Sequence, residues 1–413
     1  MQLSETVEIR GHLLDAGTLT KILDDIRDYD GDYVIERFDV GKDHDDESYA
    51  RIVVTAADDH LSRLVNRLQG HGVNPVDPSE VEIRAADADG VFPDDFYSTT
   101  NLETFVRLGG DWIRVENPEM DCGLLVVDNR VRTIPVSEVK ADDRIVCGTS
   151  GVRVVPVAEV ERGGSAFEFM NSEVSSEKPQ AVLVRQIADQ MRAVKAGGGK
   201  ILWVGGPAVV HTGAAPAMVA LVEAGFVDVL FAGNALATHD IEAALFGTSL
   251  GVDLSRGRGV EHGHEHHIRA INKIRRAGSI AAAVENGVLT GGVMHAMVEA
   301  GKRFVLVGSV RDDGPLPDVY TDVIEGQRAM RAELSGVGFA IMVATMLHSV
   351  ATGNILPASI PLVCVDINQA TVTKLADRGS AQARGIVTDI GLFLEQLARE
   401  LVPDYRHPLT VRT

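Results

Sequence analysis

Apolar and polar positions change rhythm twice along this chain. Val7-Glu8-Ile9 alternates as a strand does, Leu19 to Ile26 has helical spacing, and Tyr33-Val34-Ile35 and Arg51-Ile52-Val53-Val54 return to strand character. From His60 to Leu68, Leu61, Leu64 and Leu68 share one helical stripe. This β-α-β-β-α-β order is the split pattern of ferredoxin-like modules and is expected over residues 1–95. Short apolar runs at Gly123 to Val127, Val131 to Ile134 and Arg144 to Val146, punctuated by turn residues, predict a small β-rich domain over 96–175. Its polar stretch Glu116 to Cys122 reads either as the lining of a site or as an ordinary connection containing Pro118.

Beyond the Gly/Ser/Glu stretch at Gly163 to Glu177, strands and helices alternate through 176–413. Ile201 to Val204, Val227 to Phe231, Phe304 to Val307 and Pro361 to Val365 are nearly continuous apolar runs, as strands covered on both faces require. Helical patterns fall at Ala181 to Met191, Ala217 to Ala224, His239 to Leu245, His267 to Arg276, Gly338 to Val350 and Gly391 to Leu401. The alternation predicts an α/β fold with a Rossmann-like, mostly parallel sheet wrapped by helices.

Ligands of such sheets bind beyond the carboxyl ends of the strands, so the residues after each strand carry the information. Gly205-Gly206-Pro207 to Gly213 follows the first; it could let the backbone approach a phosphate or form only a tight turn, since it lacks the G-x-G-x-x-G spacing. Ala232 to Asp240 follows the second strand, Gly308 to Asp318 the third and Asp366-Ile367-Asn368 the last. Asp313 and Asp366 stand where dinucleotide folds place a carboxylate for ribose hydroxyls, although aspartate there also caps helices. Glu261 to His267 is rich in histidine but lacks H-E-x-x-H, and a solvated helix start is the expected reading, with no metal. Lys200 and Lys302 fall at strand starts, the wrong end for Schiff-base chemistry.

Composition narrows the function further. The net charge is −20, with 34 Asp and 25 Glu against 30 Arg and 9 Lys. Depletion of Lys along the whole chain favours a surface solvated for high salt over a dedicated acidic interface, and no basic stripe is present for nucleic acid. Cys122, Cys147 and Cys364 have no metal-type spacing and are odd in number, which argues against a disulfide framework. No signal peptide or membrane span is visible, so a cytoplasmic protein is expected.

Four loop segments, 205–213, 233–240, 308–318 and 365–375, resemble the archaeal-type ornithine cyclodeaminases. The resemblance runs over essentially the whole chain and extends to the C-terminal part of cyanobacterial arginine dihydrolase/ornithine cyclodeaminase enzymes, with the "LOR/SDH conserved region" at its start. The dihydrolase domain of those enzymes has no counterpart here. The resemblance implies an ammonia-lyase that converts L-ornithine to L-proline and ammonia, with bound NAD taking a hydride from Cα and returning it to the cyclic imine. The cofactor domain of the family is similar to that of deoxyhypusine synthase, whose active-site lysine segment has no match here. On that basis NAD contacts are expected at Asn234, Ala235, Asp313, Thr345, Met346, Leu347, His348, Asp366, Asp389 and Ile390. His211 and Asp312, with Glu285 behind them, are the candidate proton carriers by loop position. The alternatives are an NAD(P)-dependent dehydrogenase of saccharopine or lysine-ketoglutarate type and a non-catalytic amino-acid sensor. A homo-oligomer is expected.

Overall fold

The computed structural model describes residues 2–11, 13–14, 17–42, 46–76, 79–155, 180–254, 258–259, 263–310, 312, 314–377 and 383–407. The chain divides into two compact units, Met1–Ser165 with Asn354–Ser359, and Ala166–Gly353 with Ile360–Thr413. The stretch 163–177, its domain boundary at 175, Arg311, Asp313, Glu261, His262, Asp43, His44 and Asp45 lie outside the described residues.

In the first unit, Asp32–Asp39, Ser48–Ala57, Gln2–Gly11 and Asn74–Pro75 form an antiparallel sheet in that spatial order. Ala50, Ile52, Val54 and Ala56 face inward from alternate positions and meet Ile22 and Ile26 of helix Thr18–Asp28 and Leu61, Leu64 and Leu68 of helix Asp58–Gln69. This is the ferredoxin-like arrangement that the β-α-β-β-α-β order implies. The change of sheet comes earlier than residue 95, however. Glu82–Ala85 pairs with Arg144–Cys147 and so belongs to the seven-stranded, mostly antiparallel sheet that follows. Glu116 to Cys122 is a connection within this unit: the Thr99 hydroxyl donates to the Glu119 carbonyl at 2.6 Å and accepts from the Cys122 amide at 3.0 Å.

The second unit is built on parallel strands β1 (Lys200–Gly205), β2 (Val229–Gly233), β3 (Arg303–Val307), β4 (Val337–Val343), β5 (Leu362–Asp366) and β6 (Ala383–Val387). Their spatial order is β3-β2-β1-β4-β5-β6, with the two-residue strand Val319–Tyr320 outside β3. Every pair is parallel. This is the doubly wound Rossmann order, and its switch point lies between β1 and β4. Helices leave the carboxyl ends of these strands, among them α1 (Ala208–His211), α2 (Asn234–Phe246), α3 (Leu347–Ile355) and α4 (Ile390–Leu401), and the helix Gln369–Asp377 follows β5. Trp203, Phe339 and Phe393 are fully buried in one core cluster, and Phe231 is fully buried as well.

One expected element is corrected. Gly338 to Val350 is not a single helix; Val337–Val343 is the strand β4, and only Leu347 onward is helical. A central strand covered on both faces has no alternation to distinguish it from a buried helix. Ala340 to Val343 are all buried, so the apolar run passes without a break from strand to turn.

At the amino ends of the strands, Asp228 accepts from Lys195 at 2.8 Å, from Lys302 at 2.9 Å and from the Ile201 amide at 2.9 Å. Burial works to raise its carboxyl pKa, but these hydrogen bonds outweigh it and hold the group below the ordinary value of 3.8. Removing the carboxylate leaves two half-buried ammonium groups without their partner. Asp228→Ala should therefore destabilise the protein by about 2 kcal/mol near neutral pH, below the range for fully buried pairs because the lysines reach water. The contribution is present above 3.8 and is lost as pH falls through the depressed folded value. Urea denaturation over a series of pH values checks this: the two proteins should differ at pH 7, and the gap should narrow steadily as pH falls below 3.8.

Candidate active site

All six strands are parallel, so the loops that leave them gather at one edge of the sheet. Gly205, Asn234, Asp312, Thr345 to His348, Asp366 and Asp389 all follow strand carboxyl ends on that edge. Two glycines show how closely the loops approach. Gly206 donates to the Val343 carbonyl at 2.9 Å, and a Cβ placed on it would lie 1.8 Å from the Ala344 carbonyl oxygen. Ala344 itself takes the left-handed conformation at φ 53°, a strained backbone for alanine. At Gly233 the nearest atom to an added Cβ is Cε1 of His348, at 3.1 Å. His348 thus reaches from the start of α3 to the end of β2, where its ring also bonds the Val307 carbonyl at the end of β3. Burial pushes this imidazole below its ordinary range, against the opposing pull of that carbonyl and Asp312.

Asn234 opens α2 and is buried. Its amide donates to Asp312 at 3.4 Å, and its carbonyl oxygen accepts from the Leu316 amide at 3.0 Å. Asp312 accepts from the Ser309 amide at 2.7 Å, so Asn234 and Asp312 together hold the loop after β3 over the end of β2. Ala235 follows, half-buried. On the other side of the switch point, Asp366 is buried at the end of β5 and accepts from the Asn368 amide at 2.8 Å. Among the described residues its second oxygen has no hydrogen-bond partner. Helix capping is done instead by Asn368, which accepts from Ala370, and by Asp389, which accepts from Leu392 at the start of α4. Ile390 is buried beneath that turn. Exposed apolar side chains stand around the same edge: Val310, Leu347 and Ile367. Thr345 and Met346 are half-buried between them and the strands.

His211 ends α1, and the next residue, Thr212, lies 3.2 Å from where a Cβ on Gly391 would be, which brings the loop after β1 to the start of α4. The His211 ring has Nδ1 2.6 Å from the Ser249 hydroxyl and stands edge-on to His239, with centroids 4.8 Å apart. Burial and His239 push its pKa down to about 4, against Glu242, so the imidazole is neutral near pH 7. The expectation for Glu285 is not met. It ends helix Ile280–Glu285 in an exposed position, and no hydrogen bond or ion pair among the described residues joins it to the other candidates. That helix packs on the helices before and after it, several elements away from the end of β2. Sequence reading also missed Ser249, His239 and Glu242; the available signal was the run of polar residues Thr238, His239, Asp240 and Glu242 on a helix that follows a buried strand. Among the described residues no group of three or more potential ligands could hold a metal ion.

The geometry agrees with what the chain is similar to. Residues 185–397 match the family model described as "Arginine dihydrolase ArgZ-like, C-terminal, Rossmann fold". Residues 4–102 match "LOR/SDH bifunctional enzyme conserved region", and 103–184 match "Arginine dihydrolase ArgZ-like, C-terminal, first region". The ornithine cyclodeaminase of Methanothermobacter thermautotrophicus is 53% identical, with 96% of this chain and 97% of that protein aligned. Cyanobacterial ArgZ, an arginine dihydrolase solved in its apo form, superposes with a TM-score of 0.85 at 36% identity, covering 98% of this chain and 59% of that one. The ternary complex of AgrE with ornithine and NAD+ has a TM-score of 0.53 at 38% identity, over 98% and 59%; AgrE is the bifunctional enzyme of a Nostoc species.

The glycine contacts can be checked by substitution. Gly206→Ala forces a Cβ into backbone that cannot swing aside, and should cost about 3 kcal/mol or more. Gly213→Ala meets open space and only a φ of 80°, and should cost about 1 kcal/mol. Urea midpoints of the two variants should rank in that order, and the reverse order would remove the close approach at Gly206 from the description of the crevice.

Proposed function

The chain belongs to the ornithine cyclodeaminase family, and from that membership we infer that it is an ammonia-lyase converting L-ornithine to L-proline and ammonia with bound NAD. The observation that carries this reading is the convergence of Asn234, Asp312, His348 and Asp366 on one strand edge of a Rossmann-ordered sheet, in a chain whose relative AgrE is solved with ornithine and NAD+.

The residues present fit NAD. Asp366 is a buried carboxylate at a strand end with an oxygen available for ribose hydroxyls. The starts of α2 and α4 offer backbone N–H groups to phosphates, and Leu347 and Ile367 offer apolar contact to rings. Asn234, Ala235, Thr345, Met346, Leu347, His348, Asp366, Asp389 and Ile390 are accordingly proposed as the cofactor's contacts, together with Asp313. NAD bound there supplies a hydride acceptor that also serves as the donor, so no net redox change remains after a turnover.

The chain's own task is positioning and proton management. Substrate must lie with Cα against the crevice, water must be kept from the imine, and an ammonium group must lose a proton before its nitrogen can react. His211, neutral near pH 7, has a ring nitrogen free to accept that proton, though the burial that lowers its pKa to about 4 also makes it a weak base. Asp312, which Asn234 and the Ser309 amide hold in place, is the candidate for orienting the second amino group. Two coarser features belong to the same reading. A homo-oligomer is supported by Val34 and Ile35, exposed on the edge strand Asp32–Asp39. A reducing, cytoplasmic compartment is supported by three buried free cysteines, Cys122, Cys147 and Cys364. No helix among the described residues is long and apolar enough to cross a membrane.

Purified protein given ornithine and a trace of NAD should release proline and ammonia in equal amounts, without accumulating NADH. Stoichiometric NADH without proline would indicate the amino-acid dehydrogenase instead. Asp366→Ala should weaken NAD binding by roughly 10- to 100-fold, the loss of a charged hydrogen bond, in a fluorescence titration. Unchanged affinity would remove Asp366 from the contacts.

A further inference from the structure

Glu242 has no accessible surface, yet it is surrounded by donors. Its carboxylate accepts from the Thr248 hydroxyl at 2.9 Å, from the Leu250 and Gly251 amides at 3.2 and 3.1 Å, and from His239 Nδ1 at 2.8 Å. Burial works to raise its pKa, but the bonds from His239, Gly251 and Thr248 outweigh it and keep the group ionised. Three of the four donors lie on either side of Ser249, in a turn where Leu250 holds the left-handed conformation at φ 53°. A leucine in that conformation is strained, and the carboxylate clamps the turn that strains it. The chain of contacts extends to His266, whose Nδ1 lies 2.8 Å from the Thr248 hydroxyl. Ser249 is itself buried and directs its hydroxyl at His211 Nδ1.

We propose that Glu242 and Ser249 are positioning residues for His211: Glu242 fixes the Thr248–Gly251 turn so that the Ser249 hydroxyl accepts the Nδ1 proton of His211 in a hydrogen bond and leaves Nε2 bare to take a proton from a substrate amino group. The proposal rests on the reading of His211 as the proton carrier. A neutral imidazole carries one proton on one of two nitrogens, and which one is set by the partner of the other. The Ser249 hydroxyl can either donate to Nδ1 or accept from it; the proposed accepting role makes Nε2 the bare nitrogen. The same carboxylate accepts from His239 Nδ1, so one buried glutamate contacts the ring beside His211 as well as the turn that carries Ser249.

The test uses the full chain labelled with 15N-histidine and compares wild type, Ser249→Ala, Ser249→Thr and Glu242→Gln, with His211→Gln to assign the signal. In wild type the His211 signals should show a protonated Nδ1 and an unprotonated Nε2. Ser249→Ala should lose that pattern, with kcat for proline formation lowered about tenfold, KM and NAD affinity within a factor of about two, and an unchanged melting temperature. Ser249→Thr, which keeps the hydroxyl, should restore both. Glu242→Gln should match Ser249→Ala if it folds, and Ser249→Ala decides the matter if it does not. His211 protonated at Nε2 in wild type, or a Ser249→Ala enzyme with unaltered kcat and tautomer, overturns the proposal. A wild type with the expected tautomer but no turnover of ornithine overturns the functional reading and leaves the positioning in place.

Discussion

The backbone leaving β1 passes the backbone leaving β4 with no room for a side chain, and the rest of the crevice depends on that crossing. Gly206 donates to Val343 while the space of its missing Cβ is taken by the Ala344 carbonyl. Ala344 meets this approach by adopting a left-handed backbone. From there the two chains diverge, as strand order requires at a switch point. One carries Thr345 to His348 back over the end of β2, where His348 lies against Gly233 and bonds the Val307 carbonyl. The other turns through α1 and brings Thr212 to Gly391 and His211 to Ser249. Candidate cofactor contacts and the candidate proton carrier are therefore set by one contact between two backbones.

Burial alone does not decide which groups in this unit are charged; the number of donors does. Glu242 gathers four hydrogen bonds and stays ionised despite having no exposure. Asp240, two residues away and also buried, receives among the described residues the Val293 and Met294 amides alone, and its pKa is pushed up to about 6. That difference separates their roles. Asp240 caps the helix Val293–Glu299 from within the core, a structural task that tolerates a proton. Glu242 must remain an acceptor, because every group it holds is a donor.

Much of this architecture was readable from apolar periodicity. The ferredoxin-like order, the strands β1, β2, β3 and β5 and the loops after them follow from short runs bounded by turn residues. β4 was unreadable as a strand, because its residues are buried on both faces and run on into the turn before α3. β6 escaped because Ala-Arg-Gly-Ile-Val interrupts its apolar residues with Arg384 and Gly385. The site was legible only where its residues adjoin strand ends. Asp366 was proposed that way and Asn234 only through the family resemblance, whereas Ser249 meets His211, and Glu242 the turn that carries Ser249, only once the chain after α2 has folded back. Glu285 was chosen by the same loop logic, but several helices separate the end of β2 from the start of β3, and no hydrogen bond or ion pair among the described residues joins it to the other candidates.

The charge of the chain bears on how its two ligands are held. Ornithine carries two ammonium groups and one carboxylate at neutral pH, so a protein of net charge −20 favours its approach, within the short range that salt allows. NAD is an anion, and the same field opposes it. Its binding must come from contacts that act over a few ångströms: N–H groups at the starts of α2 and α4, glycine backbone that admits close approach, and apolar surface at Leu347 and Ile367. These are the features the strand edge supplies. A neutral His211 fits that division, because an imidazolium there would repel the ammonium group that it is proposed to deprotonate.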